Sequence, residues 1–384
     1  MDDEHAYQAL KSRDSRFDGW FFAGVTSTGV YCRPSCPAVM PRREHVCFFP
    51  TAAAAQAAGF RACKRCRPDA APGDADSQPG TAGTISLRLP YRPPLDLAAL
   101  LRFLAARAIP GVEESTDGAF RRALTLPHGG VGMVTLQAGA TEGYVRCQLR
   151  LEDLRDLGAA VQRCRRLLDL DADPQAVADF LSQDQLLAPL VATSPGRRVP
   201  GHVDPAELAV RAVLGQQVSV AGARTLAARL AARYGKPLTI PAGTVTRTFP
   251  TMDILAAADP SDLPMPRSRQ KALLGLTGAL ASNTVQLDPG VDRDQVERQL
   301  LGLPGIGPWT VAYIRMRALG DPDVFMPTDL GVRHALTRLG RPADPTAAAA
   351  AAQRWRPWRS YALQHLWGVL DDQGTGSASP PLIP

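Results

Sequence analysis

Four cysteines near the start of the chain, Cys32, Cys36, Cys63 and Cys66, fall as a C-x3-C pair, a gap of 26 residues and a C-x2-C pair. Two short-spaced pairs on separate turns supply the four thiolates of a tetrahedral Zn²⁺ site, each knuckle giving two ligands. Hydrophobic packing gives no reason for paired spacing, so one zinc ion held by these four cysteines is expected here. Cys47 lies in the apolar run Val46-Cys47-Phe48-Phe49 and reads as a buried bystander. The chain has 7 cysteines, five of them before residue 67, and from its opening Met-Asp-Asp-Glu-His no signal peptide is expected. Metal rather than disulfide chemistry follows from that clustering.

A second stretch with chemical character runs from Leu300 to Val332. The turn Leu303-Pro304-Gly305-Ile306-Gly307 puts glycines where the chain must bend sharply or approach something closely. Pro308 then opens a helix, and the free N–H groups of a helix N-terminus form a ready site for a phosphate. Asp329 stands twenty residues after Trp309 and just before another helical run. A carboxylate there can cap that helix and face a cleft with the hairpin, and the two roles are compatible.

Elements that position these residues are legible in outline. Residues 1–69 are turn-rich and carry 10 Lys+Arg against 7 Asp+Glu, whereas 84–195 carry 12 against 13 and 196–384 carry 21 against 15. With a net charge of +6 and a pI near 9.1, the basic charge at both ends points to a polyanion. Residues 70–83 are rich in Pro, Gly and Asp and read as a flexible linker. From Thr84 the text alternates, with strands at Thr84–Tyr91, Ala123–Leu126, Gly132–Ala138 and Tyr144–Leu151 and an amphipathic helix at Leu97–Ala108. Cys147 and Cys164 lack metal spacing. Beyond Pro174 the text turns helical; Asp204 and Glu207 read as a capping box, and Gly215-Gln216-Gln217 breaks two helices apart. Further helices are expected near 253–258, 268–282, 292–301, 308–319, 330–339 and 358–370. The division is 1–69, a linker 70–83, an α+β domain 84–195, an all-α domain 196–375 and a tail 376–384. No run of eighteen apolar residues occurs, so a soluble, cytoplasmic monomer with no membrane partner is expected.

The first block, Phe22-Ala-Gly-Val-Thr-Ser-Thr-Gly-Val-Tyr-Cys-Arg-Pro-Ser-Cys-Pro37 with Ala57-Ala-Gly-Phe-Arg-Ala-Cys-Lys-Arg-Cys-Arg-Pro68, closely resembles the zinc domain of Ada-type DNA methyl-phosphotriester repair proteins. The resemblance implies that Cys32 takes a methyl group from an alkylated backbone phosphate, with Arg33 and Arg43 among the basic residues that hold DNA. Ada-type relatives usually continue into an AraC-type helix-turn-helix region. Nothing between Arg67 and Thr84 supplies one here. The Pro90-Tyr-Arg-Pro-Pro-Leu95 opening resembles the N-terminal domain of AlkA-type glycosylases. The hairpin with Pro308-Trp-Thr310, the loop Val324-Phe-Met-Pro-Thr-Asp329 and Trp358-Arg-Ser-Tyr-Ala-Leu-Gln-His-Leu-Trp367 resemble the helix-hairpin-helix Gly-Pro-Asp glycosylases, specifically the AlkA-type 3-methyladenine enzymes.

That likeness implies a multidomain protein: a small zinc-bound α+β domain, an antiparallel-sheet α+β domain and an all-α helix-hairpin-helix domain. It implies Asp329 as the catalytic carboxylate, Trp309, Tyr313 and Trp367 as base-pocket aromatics, and Gly305 and Gly307 as strand anchors. Gln217 takes the place where relatives have a leucine wedge. A monovalent cation on the carbonyls of Leu301–Ile306 is implied as well, and the partner is double-stranded DNA containing alkylated bases. Strand-cutting relatives carry a lysine where this chain has Trp309; the 4 lysines, Lys11, Lys64, Lys236 and Lys271, all lie outside the hairpin. Monofunctional base release is therefore expected, with a methylation-responsive DNA-binding regulator as the alternative.

Overall fold

The computed structural model describes residues 3–13, 17, 21–66, 68, 84–288 and 290–371; the expected linker 70–83 and tail 376–384 lie outside them. The chain divides into two compact units, Met1–Arg88 and Leu89–Pro384.

In the first unit, α1 (Asp3–Ser12) precedes β1 (Phe22–Val25), β2 (Val30–Cys32), β3 (Val46–Phe49), α2 (Ala52–Ala57) and β4 (Arg61–Ala62), and the sheet runs β3-β1-β2-β4. β1 and β2 are antiparallel across a turn in which Gly29 has φ +63°, a conformation that suits glycine. β2 and β4 are parallel, with Val30 opposite Arg61 and Tyr31 opposite Ala62. This short pairing delivers Cys32 and Cys63, the next residue on each strand, to the same end of the sheet. Tyr31 is fully buried and packs edge-on against Phe22 at 6.0 Å.

Strand β5 (Thr84–Pro90) runs across the boundary at Arg88, and α3 (Leu97–Ala106), β6 (Glu113–Thr116), β7 (Ala119–Thr125), β8 (Val131–Ala138), β9 (Tyr144–Leu151) and α4 (Leu157–Leu167) follow in the second unit. The strands form one sheet in the order β5-β9-β8-β7-β6. Sequence periodicity passes over β6 because it opens with two glutamates, which read as loop. Both are buried, and their partners explain it. Glu114 accepts from the Thr244 backbone and hydroxyl and pairs with Arg121, while Glu113 joins a buried ion cluster.

Helices follow: α5 (Pro174–Leu181), α6 (Ala188–Thr193), α7 (Pro205–Leu214) and α8 (Val220–Tyr234). A ribbon of β10 (Pro237–Ala242) and β11 (Val245–Arg247) comes next, then α9 (Met252–Ala256), α10 (Arg267–Ala281), α11 (Arg293–Leu301), α12 (Pro308–Arg317), α13 (Leu330–Arg338), α14 (Pro345–Ala352) and α15 (Arg359–Asp371). The ribbon is the departure from the helical reading of this region. Its Leu238 and Val245 pack on Ala123, Val131 and Met133 of the sheet, so its apolar residues belong to the neighbouring core.

The capping box at Asp204 forms only in half. Asp204 accepts from the Ala206 and Glu207 amides, but Glu207 turns inward instead of back to the cap. It meets Arg122 at 2.7 Å and Arg211 at 3.1 Å, and Glu113 meets the same two guanidiniums at 2.7 and 3.1 Å. Glu113, Arg122, His202 and Glu207 are each at most 5% exposed. Burial alone would raise both carboxyls; for Glu113 the charges of Arg211 and Arg122 win and hold it low, while Glu207 stays raised with Glu113 beside it. Burial, then the charges of Arg122 and Arg211, keeps His202 well below its usual value and so neutral. Two cations and two carboxylates leave no place for a metal on this Glu-His-Glu cluster. The cluster ties β6 and β7 to α7. Removing one member strands opposite charges in a low-dielectric interior, so Arg122→Ala should cost about 3–5 kcal/mol in chemical denaturation.

Candidate metal centre and active site

The β2–β4 pairing brings Cys32 and Cys63 together, and the turns that follow each strand return Cys36 and Cys66 to them. All four Sγ atoms lie within 4.8 Å of one another, and Cys36 and Cys63 are 4.0 Å apart. A tetrahedral ion with Zn–S bonds of about 2.3 Å sets its ligands roughly 3.8 Å apart, so the donor set and its spacing fit zinc. The Arg33 backbone N–H donates to Cys66 Sγ at 3.4 Å, an outer-shell contact that favours a thiolate. Sulfurs this close cannot all be anions by themselves: hydrogen bonding to Cys36 and then Cys66 drives the Cys32 thiol far up, while Cys36, bonded to Cys32, falls to about 2. A divalent cation at the centre removes that conflict. Cys32, Cys36 and Cys63 are buried and Cys66 is partly exposed.

The two arginines sit differently from a simple DNA-facing pair. Arg33 is buried, 5% exposed, beside the thiolates it helps to hold. The Arg43 guanidinium lies 5.6 Å from the ring centres of both Tyr7 and Phe48, near Asp3 and Glu4, and donates to the Val46 carbonyl. Its contacts clamp α1 to β3.

The second site forms where α12, α13 and α15 converge. Asp329 is the N-cap of α13; its Oδ1 accepts from the Val332 amide at 3.0 Å. Oδ1 also accepts from Trp367 Nε1 at 2.9 Å, and Oδ2 accepts from Trp309 Nε1 at 3.0 Å. Every partner is a pure donor, so the site is built around a carboxylate that only accepts. Oδ2 has one donor and keeps capacity for another. Asp329 is 3% exposed.

Trp309 and Tyr313, one helical turn apart on α12, stack at 5.2 Å and 10°. Arg317, one turn further, donates from Nη1 to the Tyr313 hydroxyl at 2.6 Å and anchors on the carbonyls of Pro200 and Gly201. Its guanidinium lies 4.8 Å from the Phe103 ring of α3, so the sheet-bearing half reaches this stripe. Burial would raise the Tyr313 hydroxyl, but the charges of Arg317 and Arg107 outweigh it and lower it. Arg317 escaped the sequence reading, although its spacing of four from Tyr313 signals a shared helix face.

Gly305 has φ +81°, and a Cβ there would lie 2.8 Å from the Ala272 Cβ, so it both turns the hairpin and seats it on α10. Gly307, the N-cap of α12, has open space where a Cβ would stand and offers no side-chain cap, which leaves that helix end accessible to an anion. Gln216 donates to the Gly305 carbonyl and to Thr310 Oγ1, both at 3.0 Å, and pins the α7–α8 junction to the hairpin. Beside it Gln217 is exposed, with φ +55° in the left-handed region. The tie through Gln216 has no sequence signal beyond a polar pair at a helix break.

Three family models match the chain: the metal binding domain of Ada over residues 5–69, the AlkA N-terminal domain over 86–204, and the HhH-GPD superfamily of base excision DNA repair proteins over 210–360. A probable bifunctional transcriptional activator/DNA repair enzyme AlkA of Mycobacterium tuberculosis is 41% identical across 96% of this chain and 97% of its own length. The chain belongs to the AlkA/Ada family of DNA repair proteins. The aligned stretch with that AlkA/Ada relative, 483 positions, exceeds the 384 residues of this chain, so the relative carries sequence without a counterpart here. DNA-3-methyladenine glycosylase 2 of Escherichia coli is 37% identical over 73% of this chain and 95% of its own. In fold, the chain is similar to a 3-methyladenine DNA glycosylase from Archaeoglobus fulgidus, with a TM-score of 0.63 and 22% identity over 73% of this chain and 97% of that one. No helix among the described residues is long and apolar enough to cross a membrane.

One further residue of this AlkA/Ada site is sterically defined. A Cβ on Gly331 would lie 3.0 Å from Asp329 Oδ1 and 3.1–3.2 Å from the Trp367 indole. Gly331→Ala should therefore push Trp367 off the carboxylate, shift tryptophan emission and cost about 1–3 kcal/mol by overpacking. Fluorescence and a denaturation curve on the same sample test both.

Proposed function

We propose that this protein is a monofunctional DNA glycosylase that releases alkylated bases such as 3-methyladenine, joined to a zinc domain that takes methyl groups from DNA phosphotriesters. The observation that carries the first part is the Asp329 carboxylate, held by two indole N–H groups and one amide beside a Trp309–Tyr313 stack.

Gly307 and the start of α12 hold a backbone phosphate of double-stranded DNA while the damaged nucleotide turns out of the stack, at a cost of a few kcal/mol that is least for damaged bases. Gln217, exposed in a left-handed conformation at the helix break, fills the vacated space. The flipped base stacks with Trp309, Tyr313 and Trp367; a cationic purine gains about 0.5–2 kcal/mol from such faces. The C1′–N bond then breaks with its electron pair passing to the cationic base, which departs neutral. Asp329 stabilises the resulting oxocarbenium sugar, and water adds to C1′ with loss of a proton. Without a lysine in the hairpin the product is an abasic site rather than a cut strand. Carbonyls between Leu301 and Ile306 would hold a monovalent cation, whose charge would favour a backbone phosphate nearby. The protein acts as a monomer.

In the first unit, Cys32, Cys36, Cys63 and Cys66 hold zinc, which keeps the thiolates ionised at neutral pH. Cys32 Sγ attacks the methyl carbon of a phosphotriester; the S–C bond forms, the C–O bond breaks, and the phosphodiester leaves as an anion. Arg33 and Arg43 support the DNA-facing side of this unit through the thiolates and the α1 packing they maintain.

Wild-type protein should release free 3-methyladenine from alkylated duplex, measured by chromatography. Asp329→Asn should lower that rate by at least about a hundredfold, the scale on which charge-stabilising groups act; an unimpaired variant would remove Asp329 from the mechanism. Incubation with methylated duplex, followed by peptide mass spectrometry, should place an increment of about 14 daltons, one methyl group on a thiolate nucleophile, on Cys32. Label on the more exposed Cys66 instead would overturn the assignment of the nucleophile.

A further inference from the structure

The first turns of α10 carry three cations and no acid. Arg267, Arg269 and Lys271 follow Pro266, whose position at the cap provides no side-chain hydrogen bond. Helix electrostatics disfavours this, because the N-terminal end is already positive. Helices α3, α5, α7, α11, α13 and α14 all begin at a capping aspartate. Arg269 turns inward and is buried, and burial lowers its pKa. Arg267 and Lys271 remain exposed, one turn apart on a single face. Among the described residues neither has a carboxylate at ion-pairing distance.

Where that face lies is fixed by Gly305. Its Cβ position falls 2.8 Å from the Ala272 Cβ and 3.9 Å from the Ser268 carbonyl. At 3.6 residues per turn, the Ser268–Ala272 stripe runs between buried Arg269 on one side and Arg267 and Lys271 on the other. The hairpin therefore rests on the border of α10, with the two unpaired cations beside it on the solvent side. A polyanion lying along the hairpin would relieve the repulsion built into this helix start.

We propose that Arg267 and Lys271 form a second phosphate clamp, gripping the DNA backbone next to the phosphate that the Gly305–Gly307 hairpin anchors. The clamp rests on the reading of this chain as a DNA glycosylase and widens its footprint from the hairpin to α10. Each cation displaces condensed counterions from one phosphate, which makes its contribution visible in the salt dependence of binding.

The test uses the full chain and a duplex carrying a stable abasic analogue, with dissociation constants measured by fluorescence anisotropy between about 50 and 200 mM salt. Arg267→Ala/Lys271→Ala should make the slope of log affinity against log salt shallower by about 2, close to 0.9 for each lost contact. Arg267→Lys/Lys271→Arg should restore it. Arg102→Ala/Lys236→Ala removes equal charge at exposed positions outside α10 and the hairpin and should leave the slope as it was. A double alanine variant with the wild-type slope, or an equal loss in the Arg102/Lys236 control, would overturn the clamp. Failure of base release by the wild type refutes the glycosylase reading instead, so the two outcomes are separable.

Discussion

A buried carboxylate is expensive unless donors replace the water it gives up, and an unpaired one costs several kcal/mol. Asp329 meets that demand with three N–H groups drawn from α12, α13 and α15. Those elements are thereby drawn to one point, since each donor must come within 3 Å of the same side chain. The close approach of Gly331 to Asp329 and Trp367 follows from this requirement. The capping role and the proposed catalytic role do not compete, because both ask for an acceptor held still.

The zinc centre obeys a similar logic with different means. Instead of one acidic group surrounded by donors, four acidic groups surround a place for a cation. A two-rung parallel strand pair carries half of the geometry, since Tyr31 and Ala62 lie opposite one another and the next residue on each strand is a cysteine. The 26 intervening residues contribute the third strand and α2, yet the register of β2 on β4 is what makes distant cysteines neighbours.

Much of the candidate chemistry was legible in sequence because its residues obey short-range rules. Cysteine pairs, an aspartate before a helical run, and glycines in a turn all announce local geometry. The family likeness placed Trp367 beside Asp329, 38 residues away, which no periodicity could do. What stayed hidden depends on contacts across the fold. Glu113 and Glu114 look like loop residues until Arg122, Arg211 and Thr244 are beside them. Glu207 looks like a capping partner until a stronger buried partner takes it. Leu238 and Val245 look like part of a helical region because the sheet they cover is more than a hundred residues earlier. Gln216 carries no mark of the carbonyl it will find on Gly305.

The buried cluster of Glu113, Arg122, Glu207 and Arg211 bears on how such chains are reshuffled in evolution and in the laboratory. A boundary drawn between the sheet and the helices cuts through it, leaving each fragment with charges it cannot neutralise. The residues from Leu89 onward therefore stand as one physical block. A chimera that borrows the helical half from one relative and the sheet from another must match both sides of this cluster. Fusing or deleting whole modules upstream of the block meets no such demand from it.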